Sequence, residues 1–170
     1  VAKRRIRTRW STLKGAMAPK ICEAARTVDL VVLGQYEWEG APERHPLSLT
    51  EAVALDCGRP VLAIPAGFSE SRIRRALIAW DGGREATRAL HDELPLLDGA
   101  TVEVVASAEK RDDASLASLL GHLRNHHVMV EGDIHICCRP PAGRLMERLR
   151  EKQFDLLVMG AYGHPAWLEF

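Results

Sequence analysis

Two short segments combine residue types that could bind a small ligand, and each follows an apolar stretch. The first is Asp81-Gly82-Gly83, which comes after Arg75–Trp80 and before a helical pattern. A carboxylate there can face a ligand, and the glycines let the ligand approach the backbone. The second is Gly160-Ala161-Tyr162-Gly163. Each has a plainer alternative, with Asp81 as a helix cap and the two glycines as a simple turn, and the sequence leaves both open.

Histidines and cysteines raise a second chemistry, metal binding. His122 and His126 share one helix face, and Cys137-Cys138 follow them in sequence. Because the histidines close a helix and the cysteines close the next strand, the two groups need not converge, and we predict no metal site. The cysteines form no CxxC pair, so we expect reduced, largely buried thiols. His127 falls between helix and strand, where a left-handed backbone is expected.

Catalytic motifs are missing from the sequence. It contains no P-loop Gly-Lys-Ser, no Gly-x-Ser-x-Gly elbow, and no Ser or Cys placed with a His at a strand end. A phosphoacceptor receiver domain would need acids at the carboxyl ends of strands, whereas Asp29 and Asp155 sit at strand starts. We therefore predict a protein that is not an enzyme.

One short segment occurs twice and indicates how the chain is organised. Val28–Gly34 reads VDLVVLG, and Phe154–Gly160 reads FDLLVMG. The copies are separated by roughly the length of one α/β domain, which predicts parts of two related units. Each copy predicts a short apolar strand that delivers its glycine to a loop, where open α/β sheets place ligands.

The first unit is assigned to residues 1–66. An alternating pattern predicts an edge strand over Arg5–Ser11, and a helix and the first repeat strand follow. Ser48 and Glu51 have capping-box spacing, so a helix should run to Cys57 and end at Gly58, before a buried strand over 61–64. Residues 65–74 show neither the helical nor the strand period of hydrophobic residues, and they join one strand to another without a helix between them. We therefore place the boundary between the two units there.

The second unit is assigned to residues 75–170. Strands are predicted over 75–80, 101–107, 128–137 and 156–159, with helices over 84–97, 113–125 and 142–153 between them. This alternation is typical of βαβ units with right-handed crossovers. The expected fold is an open, mainly parallel α/β sheet with helices on both faces.

The stretch Ala76–Gly82, followed by a helix and then by Asp155–His164, resembles the universal stress protein family in its tandem two-domain form. The likeness spans essentially the whole chain. It implies a flavodoxin-like, adenine-nucleotide-binding fold of five parallel strands in order 3-2-1-4-5. The strands before Asp81 and Gly160 would then be neighbours at the switch point of the sheet. The missing initiating Met, and the end soon after a strand, predict a fragment that lacks the start of the first domain and the end of the second.

The same resemblance implies a binding site for ATP or AMP. Gly160 and Gly163 match the first glycines of a G-x2-G-x9-G-[ST] segment, whose phosphate-binding Gly-Ser or Gly-Thr would fall beyond Phe170. Asp81 matches the acid that faces the ribose. The remaining matches are Ala79 and Ser107 beside adenine, and Met159 before the loop. The sequence departs from the family at Gly83, where Ser is usual, at His164-Pro165, and at Trp167.

Composition sets the remaining expectations. With 46% hydrophobic and 27% charged residues and a formal net charge of zero, the chain is typical of a globular protein without affinity for nucleic acid. No apolar run is long enough to span a membrane, and no secretory signal precedes the domain, so a cytoplasmic location is the default.

Two functions remain open at this point. In the first, the second unit binds an adenine nucleotide whose occupancy alters association with other proteins during stress. Such a site would be confined to the second unit, because in the first unit Glu37 stands where the second glycine should be and a phosphate would meet a carboxylate there. In the second possible function, both pockets are degenerate and the chain is an interaction module. A homo-oligomer is expected in either case, because an incomplete unit leaves an unpaired sheet edge.

Overall fold

The computed structural model describes residues 6–35, 48–69, 72–107, 113–131, 135–137 and 141–161. The chain divides into two compact units, 1–65 and 66–170. Within the described residues, no helix is both long and apolar enough to cross a lipid bilayer.

The first unit alternates two helices with two strands. These are α1 (Met17–Ala25), β1 (Val31–Gly34), α2 (Leu49–Asp56) and β2 (Val61–Ile64). The strands pair in parallel, with Val31 opposite Val61. The predicted capping box begins α2, since Ser48 Oγ accepts from the Glu51 amide at 3.2 Å and the Glu51 carboxylate accepts from the Ser48 amide at 2.6 Å. The helix is followed by Gly58 at φ +66°, as its spacing predicts.

A small apolar core holds this unit together. Ala25 of α1, Val53 of α2, Val31 of β1 and the Cys57 thiol are buried against one another. The expected edge strand over Arg5–Ser11 is wrong for its described part, since residues 6–11 form no strand. Ile6 and Trp10 are 86% and 93% exposed. An alternating pattern specifies a strand only when a neighbouring strand accepts its backbone hydrogen bonds, and within the described residues β1 pairs with β2 alone.

The second unit continues the alternation. Its elements are β3 (Arg75–Trp80), α3 (Arg84–Glu93), β4 (Thr101–Ser107), α4 (Asp113–Asn125), β5 (Met129–Val130), β6 (His135–Cys137), α5 (Pro141–Glu151) and β7 (Leu156–Val158). A turn of 3-10 helix over Leu94–Leu96 follows α3, so the helix expected to reach residue 97 changes type near Pro95. Proline lacks the amide proton that would continue the α-helix.

The sheets differ from the single five-stranded one that was expected. Among the described residues there are two parallel sheets, one of β1 and β2 and one of the five strands of the second unit. In the latter the order is β5-β4-β3-β7, and β6 also pairs with β4. The single strand expected over 128–137 is therefore two short strands on the same neighbour. The observed positions follow the order 3-2-1-4, and the fifth position of the expected order is not represented in the described residues.

Both faces of the larger sheet are buried. Leu77 and Ala79 of β3 and Val105 of β4 pack with Leu145 of α5 on one face. Ala76 and Ile78 alternate with them along β3, so they point to the opposite face, and they are buried too. The α/β architecture with parallel strands and covering helices is confirmed.

A buried carboxylate lies in the middle of this sheet. Glu103 of β4 is 2% exposed and accepts from Arg75 at 3.0 Å, from Arg148 at 2.6 Å and from Lys152 at 2.6 Å. Burial alone would raise the pKa of Glu103, but the hydrogen bonds from Lys152 and Arg148 outweigh it and hold the pKa below its usual value. The ion cluster therefore fastens the end of α5 to the sheet.

Candidate functional site

The candidate site lies where three strands of the second unit end. β3 pairs in parallel with β4 up to Trp80 and Ala106, and with β7 up to Ile78 and Val158. The predicted adjacency of the strands before Asp81 and Gly160 is confirmed. Because β4 lies on one side of β3 and β7 on the other, the strand order reverses at β3. Open α/β sheets bind ligands in the crevice at such a switch point.

The loop Asp81–Gly83 leads from β3 into α3. Asp81 Oδ1 accepts a hydrogen bond from the Gly83 amide at 2.8 Å, a turn in which an aspartate bonds the backbone two residues on. The residue that caps α3 is Gly83, and no side chain caps the helix there. Asp81 is therefore not itself the N-cap residue of α3, but its carboxylate accepts from the amide of that residue and so has a structural role at the start of the helix.

Gly82 is required by the shape of this loop. Its φ of +70° is the left-handed conformation that a side chain disfavours. A Cβ built at Gly82 would also lie 3.3 Å from the Ser115 hydroxyl in the first turn of α4. Ser115 was not singled out in the sequence, since its position beside the loop depends on how α4 packs.

Gly160 serves a packing role that the sequence did not reveal. A Cβ there would lie 2.6 Å from the Ala86 nitrogen and 2.8 Å from the Glu85 carbonyl carbon. The end of β7 is therefore in direct backbone contact with the first turn of α3. In the first unit, a Cβ at the repeat counterpart Gly34 would meet no atom of the described residues within 4 Å.

The other predicted site residues have different positions. Ala79 is 4% exposed and belongs to the buried cluster that packs the sheet against Leu145 of α5, and Met159 packs against that cluster. Ser107 is the last residue of β4, where its backbone pairs with Cys137. Gly163 and Glu37 lie outside the described residues.

The histidines form a ring cluster. His122 lies between His91 of α3 and His126, with ring centroids 4.4 and 4.5 Å apart. Its Nε2 is buried and has no hydrogen-bond partner among the residues that the structure describes. Burial, reinforced by the two neighbouring imidazoles, lowers the pKa of His122. No group of three or more His, Cys, Asp or Glu side chains in the described part of the chain could hold a metal ion.

Comparison with known proteins supports the fold. No protein-family model matches this sequence, and no curated protein matches it in sequence. Among solved structures, a universal stress protein from Archaeoglobus fulgidus superposes with a TM-score of 0.65 at 19% identity, over 84% of this chain and 54% of that one. Protein Rv1636 from Mycobacterium tuberculosis gives a TM-score of 0.45 at 20% identity, over 54% of this chain and 74% of that one.

The chain thus spans about half the length of the Archaeoglobus protein. At this level of identity the comparison concerns the fold, and the expected resemblance to universal stress proteins is confirmed in that respect.

Proposed function

We propose that this chain is part of a tandem universal stress protein whose second unit binds an adenine nucleotide, ATP or AMP. Nucleotide occupancy would regulate its association with other proteins, without catalysis. The first unit would be a structural partner, and the chain would form a homo-oligomer, because both edges of the two-stranded sheet lack a partner strand among the described residues.

One observation carries the nucleotide proposal. The Asp81–Gly83 loop and Gly160 follow neighbouring parallel strands at the point where the strand order reverses. Glycines at such a position allow close approach of a ligand to the backbone, and a carboxylate beside them is suited to sugar hydroxyls.

The residues fit such a ligand in specific ways. Asp81 is half-buried, and among the described residues its second carboxylate oxygen has no hydrogen-bond partner. That oxygen would accept from a ribose hydroxyl. Phosphates would lie toward Gly160 and Gly163, and the start of α3 would attract their negative charge. The adenine would lie near Ala79, Ser107 and Met159.

A second function is favoured by a different observation. Asp81 bonds Gly83, and Gly160 packs on α3, so both motifs have a structural role that needs no ligand. An interaction module with degenerate pockets would keep the same two contacts. The two functions differ in whether the second unit binds nucleotide at all.

Isothermal titration calorimetry with ATP and AMP tests the proposal. The parent protein should bind, and Gly163→Glu should abolish binding because it adds a bulky negative charge on the phosphate path. Gly34→Glu is the matched control, since it adds the same charge in the first unit, where a Cβ has open space. Loss of binding in the Gly34 variant would contradict a site confined to the second unit, and a parent that binds neither nucleotide would favour the interaction module.

A further inference from the structure

The Asp81 carboxylate is held in place by a hydrogen bond from the backbone amide of Gly83. Its Oδ1 accepts from the Gly83 amide at 2.8 Å in a partly buried setting. A carboxylate that bonds its own loop gives up part of its acceptor capacity to that loop and is held in one orientation. If Asp81 is to turn so that each of its oxygens faces a sugar hydroxyl, this internal hydrogen bond has to be weakened or replaced.

Gly83 is itself anchored on its other side. Its carbonyl accepts from the Thr87 amide at 3.0 Å and from the Thr87 hydroxyl at 2.8 Å. Its φ of −77° and ψ of 168° are extended values that any residue adopts. The backbone at this position therefore does not call for glycine.

The missing side chain at Gly83 instead makes room for the carboxylate. A Cβ there would lie 2.9 Å from Asp81 Oδ1 and 3.2 Å from Oδ2. The first distance is shorter than real Cβ contacts allow, so one group has to move. The Gly83 backbone is fixed by Thr87, whereas the carboxylate is the free end of a flexible side chain, so the carboxylate is the group that moves.

We propose that Gly83 is a positioning residue that keeps Asp81 bonded to its own loop and thereby weakens the nucleotide site. This inference rests on the proposed nucleotide binding. A side chain at position 83 pushes the Asp81 carboxylate away from the Gly83 amide and weakens that hydrogen bond before the ligand arrives. The ligand then has less of that hydrogen bond to replace, and affinity rises.

The test is a double-mutant cycle measured by calorimetry with ATP. Gly83→Ala should tighten binding by about three- to tenfold, which is the range for the net worth of one typical intramolecular hydrogen bond. In the Asp81→Ala background the same substitution should change affinity by less than about twofold. An unchanged or weaker affinity of Gly83→Ala in the parent background would overturn the inference, as would an equal gain in both backgrounds.

A measurement without ligand separates this inference from the proposed function. In the parent, the Gly83 amide proton should exchange slowly with solvent because Asp81 accepts its hydrogen bond, and Asp81→Ala should speed that exchange. The amide at position 83 of Gly83→Ala should exchange faster than in the parent. Exchange as slow in Gly83→Ala as in the parent would overturn the inference even where nucleotide binds, whereas absence of binding in every variant would refute the proposed function.

Gly83→Ser provides a second variant. It introduces the same Cβ and adds a hydroxyl that can cap α3, so it offsets any loss of helix stability in the alanine variant. Its amide at position 83 should likewise exchange with solvent faster than in the parent, and exchange as slow as in the parent would overturn the inference.

Discussion

Substitution of Gly160 by alanine should destabilise the second unit, because the added methyl has no room. The new Cβ would lie 2.6 Å from the Ala86 nitrogen, whereas ordinary contacts begin at 3.4 Å, so the two elements must separate by about 0.8 Å. The neighbouring atoms belong to the backbone of α3 and cannot rotate away. Overpacking of this kind costs roughly 1–3 kcal/mol, and a backbone neighbour places the expected cost in the upper half of that range.

Gly34→Ala is the matched control, since Gly34 is the counterpart in the repeat and a Cβ there meets no atom within 4 Å in the part of the chain that the structure describes. Its free energy of unfolding should stay within about 0.5 kcal/mol of the parent. Urea unfolding followed by circular dichroism measures both variants. For a unit of this size, each kcal/mol also lowers the melting temperature by about 4–8 °C. Equal midpoints for Gly160→Ala and the parent would refute the close approach of β7 to α3.

Three further predictions concern the second unit. His127 has a φ of +59° in a helix-ending motif in which its amide donates to the Arg124 carbonyl and the Val128 amide donates to the Leu123 carbonyl. Because glycine adopts this conformation without strain, His127→Gly should raise the free energy of unfolding by up to about 1 kcal/mol, as measured by thermal melts. A loss of stability of the parent protein on addition of a chelator would contradict this. Glu103→Gln should lower the free energy of unfolding by about 3 kcal/mol, which is the lower end of the range for breaking a buried ion pair. The lower end applies because two of the three cations that contact Glu103 are more than a third exposed. An unchanged urea midpoint would argue against the ion cluster. Burial and the two neighbouring imidazoles lower the pKa of His122 in the folded state, so the unfolded state binds the proton first as pH falls. The melting temperature should therefore drop as pH falls below the unfolded value of about 6.5, and His122→Leu should flatten that drop.

Local signals in the sequence predicted the features that depend on neighbouring residues. The capping box of Ser48 and Glu51 and the left-handed backbone of His127 are both confirmed, since each is determined within one helix end. The neighbouring positions of β3 and β7 were inferred from the family resemblance and are confirmed as well.

Features that depend on packing between distant segments were not predictable. The contact of Gly160 with α3 joins residues more than 70 positions apart, and glycine in a strand-end loop is equally typical of a turn. Glu103 was not singled out, because only the approach of α5 shows that a carboxylate inside a strand is neutralised. The edge strand expected over Arg5–Ser11 is wrong for the opposite reason, since its alternating pattern is present but no described strand is available to pair with it.

The most direct test of nucleotide binding by the second unit is an ATP titration followed by NMR amide shifts of the full chain. Backbone amides of residues 81–86 and of Gly160 should shift together in a saturable manner, and those of Val31–Gly34 in the first unit should not. Saturable shifts confined to the first unit, or none at ATP concentrations in the millimolar range, would contradict the proposed site.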